Sequence, residues 1–197
     1  AVGTDNIDLA GCTARGISAG NTPGVVTEAT ADMAFAFMLA FSRRIKEADA
    51  FVKARLWETW SPTLMISSDV YGKTLGIVGM GRIGQAIARR AVGFRMNLLY
   101  HTRRPRPEAE REYGCRYVSF DELLRQSDIV VTIVPLTPET HHLVNDAAFA
   151  KMKDSAILVN VARGGVVDPR ALYRALSSGR IKGAALDVTE PEPIDPD

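Results

Sequence analysis

The stretch TLGIVGMGRIGQAIARRAV, residues 74–92, runs from an apolar strand-like segment through three glycines into a segment of helical spacing. Five more apolar runs follow: NLLYH from 97, RYV from 116, DIVVTIV from 128, AILVNV from 156 and GAALD from 183. Helix-like segments separate them, namely PEAEREYG, DELLRQS, NDAAFAKM and DPRALYRALSSGR. Strands that are continuously apolar are buried on both faces, and helices between them supply the covering layers. The pattern predicts an α/β domain with a doubly wound parallel sheet.

In this context each glycine of GMGRIG has a task. Gly79 makes the tight turn, Gly81 lets a pyrophosphate approach the backbone, and Gly84 lets helix and strand pack closely. Arg82 and Ile83 complete the turn, and the helix that begins there directs the positive end of its dipole at the phosphates. A Rossmann-type dinucleotide site is the reading. Glycines that merely turn the chain are the plainer alternative.

About 20 residues beyond the motif, NAD-binding versions carry a carboxylate that accepts hydrogen bonds from the ribose hydroxyls. That place falls near Thr102, and Arg103, Arg104 and Arg106 follow it directly in YHTRRPRP, residues 100–107. A carboxylate would repel a 2′-phosphate, whereas guanidinium groups bind one through charge-assisted hydrogen bonds. NADP(H) is therefore favoured, with NAD(H) possible. A solvated basic loop is the other reading of the cluster.

Composition limits the remaining possibilities. A chain of 197 residues with 46% hydrophobic content and net charge +1 can bury a substantial core, and it lacks the basic excess of a nucleic-acid-binding surface. Cys12 and Cys115 have no metal-ligand spacing and read as reduced, buried thiols of a cytoplasmic protein. The longest apolar run, Met33–Phe41, is far short of a membrane span of about 20 residues. The chain opens on Ala1 and closes on the acidic, proline-rich EPEPIDPD, and so reads as an internal fragment.

Ahead of the sheet, a short helix over Asn6–Arg15 and a small strand over Ile17–Ala19 are expected as the edge of a preceding domain. Residues 1–20 are thus assigned to that edge and residues 21–197 to the coenzyme-binding domain. From Thr27 to about Leu56 the pattern predicts one helix about 40 Å long, long enough to bridge domains or subunits. Trp57 and Trp60 follow it in a loop read as an oligomer arm.

Ligands of an open parallel sheet bind beyond the carboxyl ends of its strands. Pro135, Arg163, Asp187 and Glu192 follow the fourth, fifth and sixth runs there. Arginine at such a place suits a substrate carboxylate or a developing oxyanion.

The series VGTDNID, NTPGVVTEATAD, GKTLGIVGMGRIG, PLTPETHHL, NVARGGVVD and LDVTEPEP closely resembles the D-2-hydroxyacid dehydrogenases over essentially the whole chain. The arginine-rich turn is most similar to the glyoxylate/hydroxypyruvate and 2-ketogluconate reductase branch. The resemblance implies that Arg163 holds the substrate's carboxylate and carbonyl oxygen, and that Glu192 pairs with a catalytic histidine. It further implies that Asp187 lies near the nicotinamide, that Val161 and Pro135 line the coenzyme, and that Thr30 is close to it. Arg103 to Arg106 match the 2′-phosphate loop. The histidine of the family falls beyond Glu192 and outside this chain, so the fragment is expected to bind coenzyme without turnover. Formate dehydrogenase relatives carry glutamine at the place of Glu192, which favours 2-keto acid reduction over formate oxidation; the long helix and the tryptophan loop make a homodimer the expected assembly. Transcriptional corepressors of the same fold supply the alternative reading, a nucleotide-sensing interaction protein.

Overall fold

A computed structural model describes residues 2–4 and 6–194. Six parallel strands, β1 Thr74–Val78, β2 Asn97–His101, β3 Arg116–Tyr117, β4 Ile129–Thr132, β5 Ile157–Asn160 and β6 Gly183–Leu186, form one sheet in the order β3-β2-β1-β4-β5-β6. All six coincide with the apolar runs read from the sequence. The order reverses between β1 and β4, which is the switch point where a doubly wound sheet opens a crevice.

Alternation along the strands explains how one sheet feeds two cores. Leu75 and Ile77, Leu98 and Tyr100, Ile129 and Val131, and Ile157 and Val159 face one side. They pack there against Ala31, Ala34, Phe35 and Met38 of α2 (Thr27–Ser42) and Ala86, Ile87 and Ala91 of α4 (Arg82–Gly93). Val78, Leu99, Val130 and Leu158 face the opposite way, onto Leu123 and Leu124 of α6 (Phe120–Gln126), Phe149 of α7 (Asp146–Phe149) and Ala171 and Leu172 of α8 (Pro169–Ser177). Successive side chains point to opposite faces, so a strand buried on both sides has to be apolar throughout. The helix α5, Pro107–Tyr113, starts with proline at its first turn and ends at Gly114 in the left-handed region.

Three expectations are corrected. The long helix is two: α2 ends at Ser42, and α3 (Ile45–Lys53) begins after Arg44, whose φ of 53° is left-handed. Arg44 holds that conformation because its guanidinium pairs with Glu47 and its Nη1 donates to the Ile66 carbonyl at 3.4 Å. The opening helix α1 covers only Leu9–Ala14, capped by Asp8, whose carboxylate accepts the Gly11 N–H at 2.9 Å. Residues 17–19 form no strand, because the Ile17 N–H turns back onto the Cys12 carbonyl and Ile17 is 56% exposed. Residues 195–197, the end of EPEPIDPD, lie outside the described residues. Among the described residues no helix is long and apolar enough to cross a membrane.

Asp128 ties the amino-terminal edge of the sheet together. Its carboxylate accepts the Thr74 N–H at 2.9 Å and pairs with Lys153 Nζ at 2.8 Å. Burial pushes this carboxyl up, and the Lys153 ammonium and the Thr74 N–H more than offset it, so it is held below its ordinary value of 3.8. A carboxyl depressed on folding adds stability above its unfolded pKa, and that stability is lost as pH falls through the folded value. Asp128→Asn is expected to cost about 1 kcal/mol at neutral pH, screening of the partly exposed lysine included. The difference from wild type should shrink below about pH 4, as urea midpoints measured across pH will show. A constant difference down to pH 2 would remove the ion pair from this account.

Candidate functional site

The strand registers bring the predicted residues to one edge. Val78 is level with His101 on one side and Thr132 on the other, Thr132 with Asn160, and Asn160 with Leu186. One residue further the ladder continues, with Gly79 N–H donating to His101 O, Ile133 to Val78 O, Val161 to Thr132 O and Asp187 to Asn160 O. Thr102, Gly79, Val161 and Asp187 therefore stand along a single line of strand ends. From β2 to β6 that line measures about 19 Å at the usual strand spacing.

At its centre lies the glycine turn. Gly79 has φ +108°, and a Cβ there would lie 2.5 Å from the Ile133 carbonyl oxygen. A Cβ on Gly84 would lie 2.1 Å from the Gly79 carbonyl oxygen, so the first turn of α4 rests directly on the turn that precedes it. No side chain caps α4, and Gly81 and Arg82 are exposed while Ile83 is half-buried. The uncapped N–H groups leave a cradle for a phosphate. These residues fit a dinucleotide, whose pyrophosphate needs close approach to backbone at this place.

At one end of the line, Thr102, Arg103, Arg104 and Arg106 surround a cavity of about 370 Å³. All three arginines are exposed. The sequence reading did not anticipate what shapes this loop. Tyr100, fully buried at the end of β2, accepts the Arg106 N–H at 2.6 Å on its hydroxyl, which donates in turn to Glu110 at 2.8 Å. Burial pushes the Tyr100 phenol up to about 12, so it keeps the proton it donates. Across the crevice, the Thr137 hydroxyl, with a smaller contribution from the Arg103 charge, holds the Glu139 carboxyl below its ordinary range. His101 is occupied structurally: its Nδ1 donates to the Val118 carbonyl at 3.0 Å, and its ring lies near Tyr117 and Phe120.

Arg163 emerges at the other end, half-buried, at the start of a single 3-10 turn over Gly164–Val166. The sequence reading also missed the amide that aims it. Asn160, 1% exposed, accepts the Thr132 hydroxyl at 2.8 Å and the Ala162 N–H at 3.1 Å, and donates to the Arg163 carbonyl at 2.9 Å. A buried amide held by three hydrogen bonds fixes a turn better than apolar packing does. The signal was a polar pair, Thr132 and Asn160, inside otherwise apolar strands. Gly164 lets the segment after β6 lie against this turn, since a Cβ on it would meet the Thr189 carbonyl.

The remaining predicted residues are less gathered. Asp187 and Glu192 are exposed, and Pro135 is exposed in the loop after β4. Val161 is 5% exposed, with its N–H donated to the Thr132 carbonyl at 3.4 Å. Thr30 is half-buried in the first turns of α2, where Glu28 and Asp32 pair with Arg89 and Arg90 of α4. Burial pushes the Cys115 thiol up to about 11, so it stays protonated inside the core.

Comparison with known proteins agrees with this geometry. Residues 35–197 match the family described as D-isomer specific 2-hydroxyacid dehydrogenase, NAD binding domain. A glyoxylate reductase of Korarchaeum cryptofilum is 54% identical over 198 residues, covering 100% of this chain and 60% of the relative. The chain thus spans about 60% of the length of the curated relatives it matches. The crystal structure of TT0316 protein from Thermus thermophilus superimposes with a TM-score of 0.93 at 48% identity, covering 100% of this chain and 61% of that one. D-lactate dehydrogenase from Aquifex aeolicus, complexed with NAD and lactic acid, gives 0.88 at 39% identity, covering 96% and 56%. A six-stranded parallel sheet with an intact glycine turn, matched to that family over most of its length, places this chain among the D-isomer specific 2-hydroxyacid dehydrogenases, as their NAD-binding domain.

Proposed function

We propose that the whole protein reduces a small 2-keto acid, of the class of glyoxylate, hydroxypyruvate or 2-ketogluconate, to the D-2-hydroxy acid with NADPH as preferred reductant. The observation that carries the coenzyme preference is the cavity at the end of β2, lined by Thr102, Arg103, Arg104 and Arg106 with no carboxylate in its lining. Three permanent positive charges favour a phosphate on the ribose over a bare hydroxyl. The coenzyme, when bound, supplies a hydride to the keto carbon. Arg163 holds the substrate's carboxylate and offers charge to the oxygen that becomes an alkoxide. Glu192 holds an imidazolium that donates a proton to that alkoxide, as a neighbouring carboxylate favours the protonated ring. Neither role is open to His101, bound to Val118, or to His141 and His142, which face Glu190. Gly79, Gly81, Arg82, Ile83 and Gly84 cradle the pyrophosphate, while Thr30, Pro135, Val161 and Asp187 border the nicotinamide half.

The test is a direct comparison of NADPH and NADH affinities for this chain by fluorescence titration, with reduction of the three keto acids assayed on the whole protein. NADPH should bind at least tenfold more tightly, about one charge-assisted hydrogen bond's worth. Equal affinities would overturn the coenzyme preference, and no oxidation of NADPH with any of the acids would overturn the reaction.

The same reading assigns residues 1–20 to the edge of a substrate domain, an assignment supported by α1 having no buried residue. It also pairs two copies through the coenzyme domain. Ile45, Val52, Leu56, Trp57 and Trp60 are each more than half exposed, with Trp60 at 76%, an apolar surface that a partner would cover. Sedimentation at tens of micromolar should give a dimer that Trp60→Glu dissociates; a wild-type monomer would refute the pairing.

A further inference from the structure

The loop after β4 and the segment after β6 meet at three side chains that the reaction does not use. His141 and His142 are consecutive, yet their rings stack with centroids 3.8 Å apart and planes 20° from parallel. Both direct Nε2 at one carboxylate: His142 lies 2.8 Å from Glu190 Oε2, and His141 lies 3.7 Å from Oε1. The candidate donor atoms of the three residues all lie within 4.8 Å of one another. We infer that His141, His142 and Glu190 bind a divalent transition cation of the zinc class.

Hydrogen bonding alone leaves this arrangement half used. The His142 pair is a good hydrogen bond, whereas the His141 approach is longer than one. A single cation instead takes a lone pair from each neutral imidazole and one from the carboxylate, a two-nitrogen, one-oxygen set suited to zinc with a fourth position left to water. Around a tetrahedral zinc with bonds of about 2.1 Å, ligand atoms stand about 3.4 Å apart. The two Nε2–carboxylate separations lie on either side of that value, and closing on one ion requires the stacked rings to splay until both lone pairs converge.

The frame that holds the ligands is built. His142 has a left-handed φ of 50°, its N–H donates to the Gly165 carbonyl at 2.8 Å, and its own carbonyl accepts from Asn145 at 3.2 Å. Thr140 braces the loop by donating to the Pro135 carbonyl at 2.6 Å and accepting the Thr137 N–H at 2.8 Å. Across the crevice, Glu190 lies over Gly165, where a Cβ would stand 3.3 Å from its Oε1. Backbone contacts fix where the rings sit, which lowers the ordering cost of binding. An ion here would fasten the loop after β4 to the segment that carries Glu192, two residues beyond Glu190.

Calorimetric titration of this chain with zinc chloride tests the site, with magnesium chloride as the oxygen-seeking control. One zinc per chain is expected, with no comparable magnesium heat. His142→Gln and Glu190→Gln should each weaken binding at least tenfold, since even supporting groups around a metal are worth that much. His141→Gln, at a half-exposed position where misfolding is not a concern, should do the same. His101→Gln and Cys12→Ser, which remove the other histidine and the more accessible thiol, should leave the isotherm unchanged. Absence of saturable zinc binding, survival of the site in His141→Gln and His142→Gln, or its loss in Cys12→Ser would each overturn the assignment.

Discussion

Gly84→Ala is expected to abolish measurable dinucleotide binding and to cost about 3 kcal/mol of stability, at the upper end for forcing an extra methyl group into a packed site. The added carbon would stand 2.1 Å from the Gly79 carbonyl oxygen. Neither partner can yield easily. The Gly79 carbonyl belongs to the turn itself, with the Gly79 N–H bonded to His101 O, and the same added carbon would also stand 3.5 Å from Cγ2 of Ile77 in β1. Relief therefore requires α4 to back away from the sheet, which removes its first N–H groups from the phosphate. Helix α4 also carries Ala86, Ile87, Ala88 and Ala91 into the core shared with α2, so the displacement loosens both layers on that face. Thermal unfolding and NADPH titration on the same preparation separate the two effects. A variant that keeps coenzyme affinity within threefold of wild type would show that the helix terminus does not touch the phosphates.

Thr102→Asp combined with Arg103→Ala is expected to invert coenzyme choice. Loss of one charge-assisted hydrogen bond costs about 1.5–3 kcal/mol, and a carboxylate facing a phosphate adds repulsion, so NADPH affinity should fall about a hundredfold or more. NADH has no phosphate to lose, and its ribose hydroxyls gain an acceptor. Its affinity should hold or rise severalfold. Both residues lie on an exposed loop outside the two cores, so the unfolding midpoint should move by no more than about 2 °C. Parallel losses for both coenzymes would mean that the loop supports the fold of the site instead of reading the phosphate. High salt should weaken NADPH binding to wild type more than to the variant, because an exposed charge contact is screened.

The sheet was legible because its signal is redundant. Each strand had to be apolar on both faces, and each of the first five was followed by a helix, so six apolar segments pointed to the same layering. The glycine turn was legible because only its strand-turn-helix context gives the spacing meaning. The break at Arg44 was not, since SRRI carries neither glycine nor proline, and the left-handed residue is held by Glu47 and a carbonyl 22 residues away. Contacts so distant in sequence leave no periodic trace. Asn160 was overlooked for a similar reason: a polar residue in a strand announces a requirement without naming the Ala162 and Arg163 backbone groups that meet it. The pairing of His142 with Glu190 joins two loops 48 residues apart and depends wholly on how the strand ends line up.

The Tyr100 hydroxyl has a consequence for how coenzyme preference can change over evolutionary time. The chain leaves the sheet at His101 and is pinned again at Arg106, whose N–H the buried phenol accepts. Between those anchors the side chains of residues 102–105, and that of Arg106 itself, whose backbone alone is held, are free to differ, and none of them is buried. On the proposed reading of the arginine loop, the choice of reductant would sit in a short exchangeable cassette, and a lineage could trade one metabolic pool of reducing equivalents for another while the fold stays untouched.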